Sequence, residues 1–256
     1  NLAAALSNIL INDTQVLRLN GVNATGLNPA MTGMQTLFNE GKLKVIQSVG
    51  YPSPNFSHFR ATDIWMSASA SNENITSGWM GRYLMSEYPN YPESYPNTTM
   101  PDPLAVQIGN ELSLTFMGTN AAMGVTISNP TDFVNFVNNQ QDPAPSGNMG
   151  YELTYLRTIA RQADSYGIAM RNAYNRAANS SVAYPIGSSL GDSLKIVARL
   201  IKGGMKTRVY MVSVGGFDTH AAQVNANDHS IGTHATLLKN VSDSIFAFQR
   251  DLEQLQ

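Results

Sequence analysis

The sequence predicts an α/β protein with at least one parallel strand, and three patterns carry that expectation. In residues 189–202, Leu190, Leu194, Val197, Leu200 and Ile201 share one helical face, Gly203-Gly204 stops the helix, and the β-branched run TRVYMVSV follows at once. A helix that delivers the chain straight into a buried strand is half of a βαβ crossover, so this strand is expected to run parallel to its neighbours. Residues 30–49 repeat the helix-then-strand order, and residues 151–178 hold the longest helical period.

Composition sets the bounds on this reading. The 256 residues are 43% hydrophobic, ample for a core, and suffice for one large α/β domain or two small ones. Only 13% are charged and the net charge is -2, which offers no basic footprint for nucleic acid. The absence of Cys rules out disulfides, thiolate nucleophiles and thiolate metal sites. No apolar run reaches the length of a membrane span. The opening NLAAALSNIL has neither an initiating Met nor a basic n-region, so a processed or truncated start is expected.

Taken in order, residues 1–29 mix apolar clusters with the turn formers Asn20-Gly21, Gly26 and Asn28-Pro29, and predict a surface arm anchored by Val16 and Leu17. In residues 30–40, Met31, Met34, Leu37 and Phe38 have helical spacing, Gly41 is the stop, and residues 44–49 alternate as a short strand. Pro52 and Pro54 then hold a loop extended, Asn55 or Ser57 caps a helix, and Phe59, Ile64, Trp65 and Ala68 form its apolar stripe. Residues 76–87 predict another helix, with Trp79, Tyr83 and Leu84 inward and Thr76 or Ser77 as its cap.

A proline-rich loop follows, opening a loop-rich region or insertion over residues 88–150. Within it, residues 104–108 and 112–117 read as the two strands of a hairpin around Gly109-Asn110, residues 130–138 as a helix, and residues 140–149 as a linker. In the long helix of residues 151–178, Gly167 is a candidate kink. The final helix, residues 233–256, places Leu237, Val241, Ile245, Phe248, Leu252 and Leu255 on one stripe. It carries no stop signal, so the polypeptide is expected to continue past Gln256.

Two places have polar chemistry where α/β proteins bind ligands. Past the strand of residues 207–214, the Gly215-Gly216 break is followed by Asp218 and His220, a carboxylate and an imidazole two positions apart. The alternative is a loop cap by Asp218 with His220 packed against it. Ser57 lies at a helix N-terminus, where amide N–H groups and the helix dipole favour an oxyanion, and Arg60 is one turn on. A plain N-cap is the alternative for Ser57.

The stretches GKLKVIQSVGYPSPNFSHFRATDIWMSA, SGWMGRYL, LKIVARLIKGG, RVYMVSVGGFDTHAAQ and THATLLKNVSDSIFAFQRDL, in that order, resemble the bacterial "domain of unknown function 1501" family. The resemblance covers the chain from about Leu17 onward and implies a sulfatase-like member of the alkaline-phosphatase superfamily. It implies a three-layer α/β/α sandwich with a mostly parallel sheet, one domain spanning residues 1–256 and incomplete at both ends, and a secreted, periplasmic or cell-surface protein. The implied activity is metal-dependent hydrolysis of phosphate or sulfate esters of small molecules or glycans. Carried over by position, Ser57 is the nucleophile, Arg60 the anion-stabilising partner, and Asp218, His220 and His234 are ligands of a divalent ion, whether zinc, manganese, calcium or magnesium. His58 and His229 are weaker ligand candidates.

The chain departs from the superfamily pattern in lacking the acidic ligand of a first strand and the Asp-His pair near the carboxyl terminus. Remaining segments of the same polypeptide, or partner proteins, are expected to supply these. A non-catalytic binding or assembly protein that keeps the fold is the competing expectation.

Overall fold

The computed structural model describes residues 7–54, 56–129, 143–178, 180–220 and 223–255. Its elements in chain order are β1 (Leu17–Leu19), β2 (Val22–Leu27), α1 (Thr32–Asn39), α2 (His58–Ser67), α3 (Trp79–Glu87), β3 (Ala105–Ile108), β4 (Val125–Ile127), α4 (Asn148–Arg176), α5 (Ser189–Lys202), β5 (Val209–Met211) and α6 (Thr233–Glu253). The α/β class holds: among the described residues there are six α-helices, one three-stranded parallel sheet and a separate two-stranded hairpin. No helix among them is long and apolar enough to cross a membrane. The predicted helix of residues 130–138 lies outside the described residues, as do Asn55 and residues 140–142 of the linker.

Two compact units divide the chain. One comprises Asn1–Ser48, Asn179–Ala198 and Ser213–Gln256; the other comprises Val49–Ala178 and Arg199–Val212.

The second unit holds the parallel sheet, in the order β4-β3-β5. Central β3 pairs Val106 with Val125 of β4 and with Tyr210 of β5, and its Ala105, Val106 and Ile108 are buried, as a strand flanked on both edges requires. The expected hairpin after β3 does not form. The Ser113 N–H donates to Gln107 Oε1 at 2.7 Å and Ser113 Oγ accepts from the Thr115 N–H at 3.1 Å, which turns residues 114–116 into a 3-10 turn. Residues 109–124 thereby become a crossover long enough to bring β4 back parallel.

Leu84, Met100, Leu104, Ala105, Phe116 and Met123 form the core of this unit. Gly81 sets how α3 meets it: a Cβ there would lie 2.3 Å from Met117 O, so helix backbone rests directly on the chain after the 3-10 turn. Leu84 is accordingly fully buried, but Trp79 and Tyr83, expected inward, are 44% and 51% exposed. The α3 N-cap is Gly78, with no side-chain cap from Thr76 or Ser77. In α4 the backbone runs helical through the buried Gly167, and Gln162 Nε2 donates to Tyr95 O at 2.7 Å, holding the proline-rich loop. Burial pushes the Tyr91 hydroxyl in that loop up to about 12, so it stays protonated at neutral pH.

The first unit pairs α1 with α6. The α1 helix ends as predicted: Gly41 adopts φ +74, its N–H reaches Phe38 O, and the Lys42 N–H reaches Leu37 O. Residues 17–27, expected as part of a surface arm, are instead an antiparallel hairpin turned at Asn20-Gly21, with Leu19 buried. Residues 44–49 form no strand among the described residues. Their Ile46 and Val49 are 80% and 62% exposed, and Gln47 Nε2 is held by Thr25 Oγ1 at 2.9 Å.

The face that α6 buries consists of Ala235, Ser242, Ser244, Ala247 and Asp251, not the expected leucine-rich stripe, which is half-buried except at exposed Leu255. Small residues admit close neighbours: Ser242 Oγ accepts from the Met34 N–H at 3.0 Å, and Ser244 and Ser188 hydroxyls meet at 3.1 Å. Tyr184 donates to Asp251 Oδ2 at 2.9 Å; burial first, and that bond second, hold its hydroxyl well above the usual range.

Candidate functional site

Each unit carries one of the two polar constellations. In the second unit, Ser57 follows Phe56, whose φ is +60, and adopts extended backbone at the head of α2. Its Oγ accepts from the Arg60 N–H at 3.3 Å, so Ser57 is the N-cap, as one of the two sequence readings requires. Its side chain is nevertheless exposed at the helix terminus, where the dipole favours an anion.

Arg60 has a defined task in this structure. Helix α2 ends at Ala68 in the left-handed conformation, and the chain folds back so that Arg60 Nη2 donates to the carbonyls of Ala70 at 3.0 Å, Ser71 at 3.3 Å and Glu73. The guanidinium thus clasps the 70–73 turn, and an anion at Ser57 would share it with these carbonyls.

In the first unit, His220 Nε2 lies 3.0 Å from Asp218 Oδ2, with the side chains 80% and 56% exposed. The contact comes from a tight turn: the Thr219 N–H bonds back to Phe217 O, and His220 takes φ +45. A left-handed backbone at a residue other than Gly costs about 1–2 kcal/mol, so the turn holds these side chains together against a local preference. His234, the second residue of α6, donates its N–H to Gln223 O at 3.1 Å. Its ring meets Phe217 edge-on, centroids 6.2 Å apart. His229 sits in a loop with Nδ1 3.0 Å from Leu10 O, and His58 is the exposed first residue of α2.

The structure therefore brings Asp218 and His220 into contact and sets His234 against their neighbour Phe217. Among the described residues, no three of His, Asp and Glu gather where they could hold an ion. The Asp218–His220 pair fits a divalent metal as a partial set. One oxygen and one nitrogen donor about 3 Å apart suit two vertices of a tetrahedral site with bonds of about 2.0–2.1 Å, and the exposed side chains leave room for further ligands.

The sequence reading missed a different feature. Trp65 and Trp79, both assigned to the core, stand 71% and 44% exposed and line one groove of the second unit with Tyr51, Ile64 and Ser69. The available signal was Gly78 and Gly81 bracketing Trp79: glycines on one face mark that face as the contact and turn the tryptophan away from it.

No family model, no curated protein and no solved structure matches this chain.

Proposed function

We propose that the protein is a metal-dependent hydrolase of phosphate or sulfate esters, in which Asp218 and His220 hold the ion. One observation carries the reading: a carboxylate and an imidazole in contact at 3.0 Å, exposed, in the segment that follows parallel strand β5 in the chain. On the sequence resemblance alone, His234 is assigned as a further ligand, Ser57 as nucleophile and Arg60 as the anion's partner. The alkaline-phosphatase-like three-layer arrangement and a secreted, periplasmic or cell-surface location belong to the same proposal and rest on the sequence resemblance.

A bound divalent ion would neutralise charge on the transferred group. In the first step Ser57 Oγ forms a bond to phosphorus or sulfur, the ester P–O or S–O bond breaks, and the alcohol departs carrying a proton. Water then attacks the serine ester, returning the hydroxyl to Ser57 and releasing phosphate or sulfate.

The test is metal analysis of the purified protein alongside turnover of aryl phosphate and aryl sulfate. Retention of a divalent ion that Asp218→Ala loses, with turnover that Ser57→Ala loses, supports the reading. Absence of both ion and turnover sinks it.

A second reading, a non-catalytic binding protein, is favoured by the tryptophan-lined groove. If Ser57→Ala and Asp218→Ala leave every measurable function unchanged, this reading replaces the first.

A further inference from the structure

The groove along α2 has a volume of about 580 Å3 and is lined by Val49, Tyr51, Ile64, Trp65, Ser69 and Trp79, with two alanines and a glycine. That volume falls within the range of about 300–1,000 Å3 typical of small-molecule sites. It contains both tryptophans of the chain. Three properties define the occupant.

First, no Asp, Glu, Lys, Arg or His lines the groove among the described residues, so nothing there would compensate a ligand charge. Second, Ser69 is only 7% exposed, and its Oγ has no hydrogen-bond partner among the described residues. A buried hydroxyl without a partner is costly, and rotation about its Cα–Cβ bond gives it three staggered positions from which to find one. Third, Trp65 and Trp79 remain 71% and 44% exposed, so the groove is open and a bound molecule keeps one side in water.

A wholly apolar ligand gains most where every face leaves water, which an open groove denies it. A ring with an apolar C–H face and a hydroxyl rim suits the site better: the face lies on indole, and the rim reaches the Tyr51 hydroxyl, solvent and, once its side chain rotates, Ser69. We propose that this groove binds the pyranose rings of a neutral oligosaccharide, with Trp65 and Trp79 as stacking platforms and Ser69 as hydrogen-bond partner. Such binding requires neither a metal nor Ser57, so it stands independently of the hydrolase reading.

Because the only two tryptophans line the groove, their intrinsic emission reports on it directly. The full chain is titrated with cellotetraose, maltotetraose and chitotetraose, with cyclohexanol as an apolar ring control, and affinities are checked by calorimetry. A saturable emission change with at least one tetrasaccharide is expected. Trp65→Ala and Trp79→Ala should each weaken it about tenfold, and Ser69→Ala about fivefold. Trp65→Phe keeps a ring and should retain most of the affinity, which separates loss of the platform from misfolding.

No saturable response to any of the three tetrasaccharides overturns the proposal. So does undiminished affinity in both alanine variants, or saturation by cyclohexanol alone. Turnover of aryl esters is measured on the same preparations: oligosaccharide binding without turnover keeps this inference and removes the hydrolase reading, and turnover without binding does the reverse.

Discussion

At Asp218 and His220, two residues separated by one position reach each other because the backbone at His220 turns left-handed. Asparagine tolerates that conformation better than other non-glycine residues. His220→Asn should therefore keep the turn and the thermal midpoint, shifting it by no more than a few degrees, while removing the imidazole. Metal analysis should then show loss of the bound ion; an ion retained at wild-type occupancy would remove His220 from the ligand set. Ser57 makes a complementary case. As the N-cap of α2 it supports the helix whatever its chemistry, so Ser57→Ala should cost about 1 kcal/mol in urea denaturation. Ser57→Asp keeps the cap, so a loss of turnover there, with stability restored, would assign the chemistry to the hydroxyl rather than to folding.

Helix α3 shows how an element's packing can differ from its hydrophobic pattern. Gly81 lets the helix approach the chain at Met117 so closely that a methyl group would lie 2.3 Å from a carbonyl oxygen. Gly81→Ala gains helix propensity but must push backbone apart, and a net destabilisation of about 1–3 kcal/mol is expected from equilibrium unfolding. A neutral or stabilised variant would show that the helix can move away from Met117 at no cost. Leu84, fully buried beside it, should cost about 2–5 kcal/mol on conversion to Ala, whereas Tyr83→Ala on the exposed face should change little. The same logic governs α6, where serines and alanines, not leucines, form the buried face because close neighbours and hydroxyl partners need small side chains.

At the scale of the whole molecule, a charge network among the described residues joins the ends of α1 and α6 within the first unit. Lys42 Nζ contacts Glu253 at 2.6 Å and Glu40 at 3.0 Å, and Arg250 contacts both carboxylates. Hydrogen bonds from Lys42 and then Arg250 hold the Glu253 carboxyl down at about 2, and those from Arg250 and then Lys42 lower Glu40. A depressed carboxylate contributes stability above its unfolded value, near 4.5, and loses it as pH falls through the folded one. The unfolding midpoint should thus fall between pH 4.5 and about 2, less steeply in Glu253→Gln and less steeply in high salt. An unchanged acid profile in the variant would show the network to be without effect, as many exposed ion pairs are. Local chemistry was legible without coordinates: the glycine stop of α1, the boundaries of α5, the serine cap of α2, and the parallel direction of β5 all follow from side chains within a turn or two, or from a simple connection rule. The Asp218 and His220 pair was legible for the same reason, being only two residues apart. Tertiary structure alone decided that β3 pairs with β4 rather than with residues 112–117, that residues 44–49 form no strand among the described residues, and that the tryptophans line a groove. An apolar period says that a face can be buried; which face is buried depends on partners far away in the chain, and here glycines and serines let those partners come closest.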